Sequence, residues 1–488
     1  MAMSSMQLRA RGRGWVMAAL LAGLSGCATV GPDYRAPAVA VPADWIAPGA
    51  AARDDDDDRD APGPWWRTFQ DPLLEQLVAH ALAHNQDLDI ALARLRQARA
   101  ERAQVASASR PELSVGGAGE AAHHGGRSDQ AWQLGIDASW TLDLFGGTRR
   151  AVEAADAGIQ ALAEDRDALQ AGLVAELVAD YAGLRANQHR LSIARDEVDT
   201  LNDIERLAEQ AQRSGLGTLA DVALARAERA TAQARLPVLE ADIARLRHAL
   251  GVLTGGFPGD WQAALHGPAP MLRSPEHWPR SLPSEVIGQR PDLRADERRL
   301  AQATAQIGVA QAQGFPAFRI PLGIGTTADT IRALFSAATR TWSVGLQGRQ
   351  VLYDAGRTRA ATAAAQANAE AVRRIYERDI RVALREVEDA LIAWTSERER
   401  QASLQAAVVD SEQALDDAMR LYAQGLRAYL PVLAAQRTLH QARDAQVLGR
   451  LAELHAVVAL QTALGSEVAI AETPAAAAGA LMEASAAR

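Results

Sequence analysis

One pattern occurs twice in this chain, and the repetition limits the fold more than any other feature. Asp143-Leu144-Phe145-Gly146-Gly147-Thr148-Arg149-Arg150-Ala151 is echoed by Leu352-Tyr353-Asp354-Ala355-Gly356-Arg357-Thr358-Arg359-Ala360, 209 residues later. Gly215-Leu216-Gly217 is echoed by Gly425-Leu426-Arg427 at an offset of 210. Two echoes at nearly one spacing mark an internal duplication in which each half is a supersecondary unit. What one half contains, the other should contain too.

Hydrophobic periodicity supplies that content. In the first half, Leu74, Leu77, Val78, Ala81, Leu82, Leu88, Leu92 and Leu95 hold one apolar stripe, which predicts a helix over 72–107. The period then changes to two. Trp132, Leu134, Ile136, Ala138, Trp140 and Leu142 alternate with Gln133, Gly135, Asp137, Ser139 and Thr141, a half-buried strand. Its partner is expected over 113–120, with His123 and His124 in a solvated loop between them. A helix over 149–213 follows, then a turn at 216–218 and a second helix over 219–253. At 1.5 Å per residue the first of these is about 100 Å long. The second half repeats the plan, with a helix over 292–313, a strand over 316–325 and an alternating strand through Trp342, Val344 and Leu346. Helix then runs to 424 and returns over 429–464.

Each half thus contributes two strands, one very long helix and one helix folding back beside it. No stretch beyond residue 26 has eighteen consecutive apolar residues, so a membrane crossing would have to use strands. Four strands cannot close a membrane barrel, whose minimum is about eight, and an open edge in lipid leaves backbone groups unpaired. Closure requires several copies of the chain.

The first residues say where such a protein works. Arg9, Arg11 and Arg13 precede a short apolar run over 15–24, the pattern of a secretory signal. It ends in Leu24-Ser25-Gly26-Cys27, a bacterial lipobox, and Cys27 is the only cysteine. Cleavage before Cys27 would leave it as the lipid-bearing mature N-terminus. Ala28 follows, where an Asp would favour inner-membrane retention, so outer-membrane sorting is expected. Removal of 1–26 takes away three Arg and shifts the net charge from −9 to −12. All 51 basic residues are Arg. An acidic exported chain is a poor nucleic-acid binder, and one lipidated cysteine leaves none for disulfides or thiolate metal sites. Residues 28–64 are rich in Pro, Ala and Asp and are expected to be an extended tether, with the 54–58 Asp run a solvated loop. No nucleophile elbow, phosphate loop or metal-ligand spacing occurs, so neither enzyme nor cofactor is indicated. Gly215-Leu216-Gly217 joins two helices and does not follow a strand; its glycines serve a tight turn.

Motifs spread along the chain now carry a family resemblance. Val30-Gly31-Pro32-Asp33-Tyr34 is followed by Trp65-Trp66, Asp71-Pro72-Leu73-Leu74 and Ala138-Ser139-Trp140-Thr141-Leu142-Asp143-Leu144-Phe145-Gly146. Then come Leu282-Pro283-Ser284-Glu285, Arg290-Pro291-Asp292-Leu293-Arg294 and Ala305-Gln306-Ile307-Gly308-Val309-Ala310. In that order the chain resembles the lipoprotein outer membrane factors, the TolC/OprM-like, NodT-branch exit ducts of tripartite efflux systems. The resemblance implies a mainly α protein with a membrane β-barrel: a homotrimer with a 12-stranded barrel and a 12-helix α-barrel. It further implies a periplasmic adaptor, an inner-membrane pump of RND type and passive transport, as in multidrug resistance. On this reading residues 1–26 are the signal peptide, 27–64 the lipidated tether, 65–254 the first repeat and 255–283 an equatorial connector. Residues 284–470 are the second repeat and 471–488 a disordered tail. The alternative is a periplasmic adaptor or other coiled-coil lipoprotein with an interaction role.

The resemblance also implies a periplasmic gate. Tyr422 and Arg427 flank Gly425 where family members place the residues that bond an Asp on a neighbouring hairpin, and Asp221 matches that acid. The tip turns are Gly215, Gly217 and Gly425. Pro431 and Ala434 stand where relatives often carry pore acids, so ion selectivity does not carry over. Gly348-Arg349-Gln350 replaces a usual apolar run, and Arg349 is expected to avoid lipid.

Overall fold

The computed structural model describes residues 29–47, 64–275 and 283–466. Cys27, the 54–58 Asp run, much of the tether and the tail from 471 lie outside the described residues, as do positions 276–282 of the connector. The chain is mainly helical.

After a 3-10 turn at Trp65–Phe69 come α1 (Pro72–His84) and α2 (Gln86–Ser107), then β1 (Glu112–His124) and β2 (Arg127–Leu142). Next are α3 (Gly147–Arg213), α4 (Leu219–Gln233), α5 (Leu236–Leu253), the short α6 (Gln262–Leu265) and α7 (Pro283–Gln289). The remainder is α8 (Pro291–Ala312), β3 (Ala317–Ala328), β4 (Arg340–Val344), β5 (Gln347–Arg349), α9 (Arg357–Ala423) and α10 (Leu430–Leu464). Both α3 and α9 contain 67 residues.

Four sequence expectations are corrected. The single helix expected over 72–107 is two, because Asn85 leaves the helical region and caps the second. Its Oδ1 accepts from the Asp87 and Leu88 amides at 2.9 and 3.3 Å, a local bond that Asn offers in place of helix continuation. The helix expected over 219–253 is broken at Ala234-Arg235. Pro237 lacks an amide hydrogen, and its ring would collide with the Gln233 carbonyl in a continuous helix. The second-half strand through Trp342 stops at Val344 and resumes at Gln347. There β3 presents Pro321, which has no N–H to donate, and only the Gly345 amide reaches the Pro321 carbonyl, at 3.0 Å. Finally, His123 and His124 belong to β1, and the reversal is Gly125-Gly126 with φ of 58° and 86°, the two-residue turn that demands positive φ twice.

Two compact units are built from these elements. The first comprises Met1–Val39, Ala93–Ala163 and Ala295–Arg378. Its sheet is antiparallel in the order β1-β2-β3-β4, with β5 also on β3. The register sets Val115, Ile136, Ile324 and Trp342 in one row and Leu113, Ala138, Leu322 and Val344 in the next. Most of these side chains are exposed, Val115 by 75% and Trp342 by 78%. The alternate rows carry Ser114, Asp137, Gly323 and Ser343. The sheet has one apolar and one polar face, as the period of two requires. Among the described residues, nothing pairs with the outer edge of β1 or of β4.

The same unit explains Val30-Gly31-Pro32-Asp33-Tyr34. The Val30 amide bonds the Phe145 carbonyl at 3.1 Å. Arg150, 3% exposed, gives Nε to the Val30 carbonyl at 3.0 Å and Nη2 to Asp33 at 2.7 Å. Gly31 has φ of 95°, and a Cβ there would lie 2.5 Å from the Gly308 Cα. The Tyr34 hydroxyl donates to Glu297 at 2.9 Å, and burial with this carboxylate raises its pKa. The motif docks the segment that follows Cys27.

The second unit comprises Ala40–Leu92, Glu164–Arg294 and Asp379–Arg488. One core joins Trp65, Trp66 and Phe69 to Leu74, Leu77, Leu177, Tyr181, Leu250 and Leu454. Asp71 caps α1, accepting the Leu73 and Leu74 amides at 2.9 and 3.0 Å, and its other oxygen takes the Tyr181 hydroxyl at 2.7 Å. An 18-residue window of α10 has a mean hydropathy of 1.3, but 56% of it is buried in the protein. The helix spends its apolar surface on this core.

Candidate functional site

Both long helices end the same way. After α3, Gly215 takes φ of 74°, and the Leu216 and Gly217 amides bond the Ala211 carbonyl at 2.9 and 3.1 Å. After α9, Gly425 takes φ of 72°, and the Leu426 amide bonds the Leu421 carbonyl at 2.9 Å. A left-handed glycine with an amide reaching back five residues satisfies helix-end carbonyls that would otherwise lack partners. Space at Gly217 is tight: a Cβ there would lie 3.2 Å from the Ala211 Cβ and the Gln212 amide.

The returning helices begin differently. Thr218 caps α4 in a reciprocal box: its hydroxyl accepts the Asp221 amide at 3.1 Å, and Asp221 Oδ2 accepts the Thr218 amide and hydroxyl at 2.9 and 2.8 Å. The Thr-x-x-Asp spacing announces this role, which sequence reasoning passed over in favour of a latch. The positions 210 residues on are Ala428 and Pro431, so α10 lacks the box and carries Pro431 in its first turn, where a missing N–H costs little.

The two turns stand over one core. Val198, Leu201, Ile204, Val222 and Ala225 pack with Leu415, Tyr429, Val432 and Leu433. The Tyr422 and Tyr429 rings lie 5.7 Å apart. Burial, then the charge of Asp221, holds the Tyr422 hydroxyl above its ordinary pKa. Burial, Glu228, Tyr422 and Asp221 push Tyr429 up to about 12. The Tyr429 hydroxyl is buried without a hydrogen-bond partner. On the flank, Arg437 pairs with Glu228 and joins α10 to α4.

Asp221 and Tyr422 are therefore brought into electrostatic reach but are not hydrogen-bonded. Arg427 is exposed and makes no ion pair with another described residue of its own chain. Pro431 and Ala434 are exposed as well, and Arg349 is exposed on β5. Sequence reasoning missed the leucines at the turns: Leu216, Leu219, Leu426 and Leu430 are 81, 75, 66 and 66% exposed. Their position beside the turn glycines was the available signal. Each turn thus carries two exposed leucines beside its glycine, apolar side chains that nothing in this chain covers among the described residues.

Comparison with known proteins places this geometry in context. The family model described as "Outer membrane efflux protein" matches residues 77–256 and 282–466. A pyoverdine export outer membrane protein, OpmQ of Pseudomonas putida, is 32% identical over 460 residues, which cover 91% of this chain and 95% of that protein. The toluene efflux pump outer membrane protein TtgF of Pseudomonas putida is 30% identical, covering 92% and 95%. Among solved structures, the outer-membrane channel OprN superposes with a TM-score of 0.83 at 35% identity, covering 89% of this chain and 98% of that one.

Proposed function

This chain belongs to the outer membrane efflux protein family, and from that premise we propose that it is the exit duct of a tripartite efflux pump. It is an outer-membrane transport component. The observation that carries the mechanism is a single sheet four strands across, with one exposed apolar face and, among the described residues, two unpaired edges. Such a sheet is stable in lipid only when further copies pair with both edges and the apolar face meets the acyl chains. Three copies give a 12-stranded barrel in the outer membrane and a 12-helix α-barrel in the periplasm. The two halves act as structural repeats, 65–254 and 284–470, joined through the connector 255–283.

The duct is passive. An inner-membrane pump, of RND type, supplies energy, and a periplasmic adaptor meets the apolar surface at Leu216, Leu219, Leu426 and Leu430. The relatives named for pyoverdine and toluene export point to small organic cargo. Pro431 and Ala434 stand where the resemblance places pore acids, so no cation selectivity is assigned to the entrance.

Full-length protein purified in detergent should migrate as a trimer and give discrete conductance steps in planar bilayers. Deletion of the gene should sensitise cells to at least one small organic toxicant, with rescue by the intact gene. A monodisperse monomer that conducts would refute the shared barrel. Cys27 is the proposed lipid site: Cys27→Ser should abolish incorporation of labelled palmitate, and labelling that persists would remove the anchor from the scheme.

A further inference from the structure

The internal duplication supplies a template for two helix faces that this chain leaves bare. α2 and α8 each contain 22 residues and correspond at an offset of 205, Gln86 to Pro291. α3 and α9 each contain 67 and correspond at 210, Gly147 to Arg357. Burial supports the second offset: Leu173, Leu177 and Leu184 are buried, and so are Ala383, Val387 and Trp394, each 210 residues further on.

Within the chain α3 meets α8. Arg294 gives Nε and Nη2 to Glu164 at 2.8 and 2.6 Å, and Arg298 reaches Gln160 at 3.3 Å. Gly158 comes so near that a Cβ would lie 3.0 Å from the Gln302 amide nitrogen. Ala154, Ala157 and Ala161, on the same stripe of α3, are buried. Their counterparts Ala364, Ala367 and Ala371 on α9 are exposed. So are Ala93 and Gln97 of α2, which answer to Arg298 and Gln302 of α8.

Small exposed residues alone would not name an occupant; the charges do. Glu164 answers to Arg374 on α9, and Arg294 answers to Asp89 on α2, so the ion pair of the in-chain joint recurs with its signs exchanged. Asp89 is exposed and makes no ion pair among the described residues. The Arg374 side chain is 62% exposed and meets acids of its own helix, Glu377 at 3.1 Å and Glu370 at 3.8 Å. Such exposed pairs along one helix are weak and leave the guanidinium able to turn outward.

Resting on the trimeric duct proposed above, we propose that α9 seats α2 of the adjacent copy in the register that α3 and α8 adopt within one chain. Arg374 then meets Asp89 of that copy, and Asn368, the counterpart of Gly158, lies beside its Gln97. The exchange of signs fixes the order in which the halves join. Were α9 to take α8 of another copy, Arg374 would face Arg294; were α3 to take α2, Glu164 would face Asp89. Both wrong joints set like charges together, and repulsion of this kind selects among otherwise similar partners.

The test uses full-length protein in detergent. Gln97→Cys with Asn368→Cys, treated with copper phenanthroline as oxidant, should give ladders of two and three linked chains on a denaturing gel. Either single cysteine variant should run as one chain. Asp89→Arg sets arginine against Arg374 at all three joints and should lower the trimeric fraction severalfold at a concentration where the wild type is half assembled. Arg374→Asp should do the same, and the two changes together restore opposite charges and should recover assembly. Double-cysteine protein that gives no ladder overturns this register, and if the wild type is still a trimer the shared barrel stands; a wild type that stays monomeric removes both. Single charge variants that assemble like the wild type, or a combined variant no better than the singles, overturn the charge pairing.

Discussion

Alanine at Gly255 should destabilise the protein by about 3–5 kcal/mol, whereas alanine at Gly259, four residues on, should change stability by less than about 0.5 kcal/mol. Gly255 ends α5 with φ of 81°, and its amide bonds the Val252 carbonyl at 2.8 Å. A Cβ there would stand 2.0 Å from the His84 carbonyl oxygen. No rotamer relieves this, because both groups are backbone. The left-handed conformation alone costs an alanine about 1–2 kcal/mol. Moving the chain away from His84 then strains two bonds that fasten the α1–α2 junction to α5: Asn85 Nδ2 to the Leu253 carbonyl at 2.9 Å, and His80 Nδ1 to the Thr254 carbonyl at 3.0 Å. Each is worth about 1 kcal/mol. A Cβ on Gly259 meets nothing within 4 Å, and its φ is not positive. Urea or thermal unfolding of both variants checks the contrast. Equal midpoints would show that the junction yields freely and that the close approach carries no constraint.

That junction also shows where the sequence was legible and where it was not. The long helices were readable because their periodicity runs for tens of residues, and the turns because Gly215 and Gly425 must adopt positive φ. The strand faces followed from strict alternation, and the 127–142 strand needed only extension at one end. What failed was local competition against a continuing period. Asn85 sits within an unbroken apolar stripe, and only its choice to cap α2 reveals the break. Pro237 was a visible breaker, outweighed by the apolar pattern around it. Pro321 acts through a missing bond on a different strand, which no reading of 340–349 alone can detect. Asp221, Tyr422 and Arg427 were singled out by resemblance alone, and of these only Tyr422 packs on the core beneath the turns. The Thr218–Asp221 box and the exposed leucines needed only local reasoning and were overlooked. The docking role of Arg150 could not have been found, because Val30, Gly31 and Asp33, which it holds, lie about 120 residues away in sequence.

The box changes what a gate at this tip can be. Both Thr218 bonds go to Asp221 Oδ2, leaving Oδ1 without a partner among the described residues. Tyr422 is near that carboxylate within its own chain, and Arg427 has no acid there. We infer that Arg427 reaches Asp221 of an adjacent copy, so that the latch closes between protomers around the trimer axis. An Arg–carboxylate pair suits such a contact, since its donors form a planar fork. One exposed pair is worth under about 1 kcal/mol, but threefold repetition brings the bias to about 2 kcal/mol. At about 1.4 kcal/mol per factor of ten, that shifts the closed-to-open ratio some 30-fold. Arg427→Ser with Tyr422→Phe should accordingly raise single-channel conductance and sensitise cells to large antibiotics such as vancomycin. Asp221→Ala should act in the same direction and add little to Arg427→Ser, because both remove one interaction. Asp221→Ala also destroys the helix cap, at about 1 kcal/mol, so Thr218→Ala is the decisive companion. It breaks the box and leaves the carboxylate in place. Conductance that rises in Asp221→Ala but not in Thr218→Ala assigns the effect to the latch. If both rise together, or if the Arg427→Ser/Tyr422→Phe trimer conducts like the wild type, Asp221 is a capping residue and the tip is held shut by other contacts.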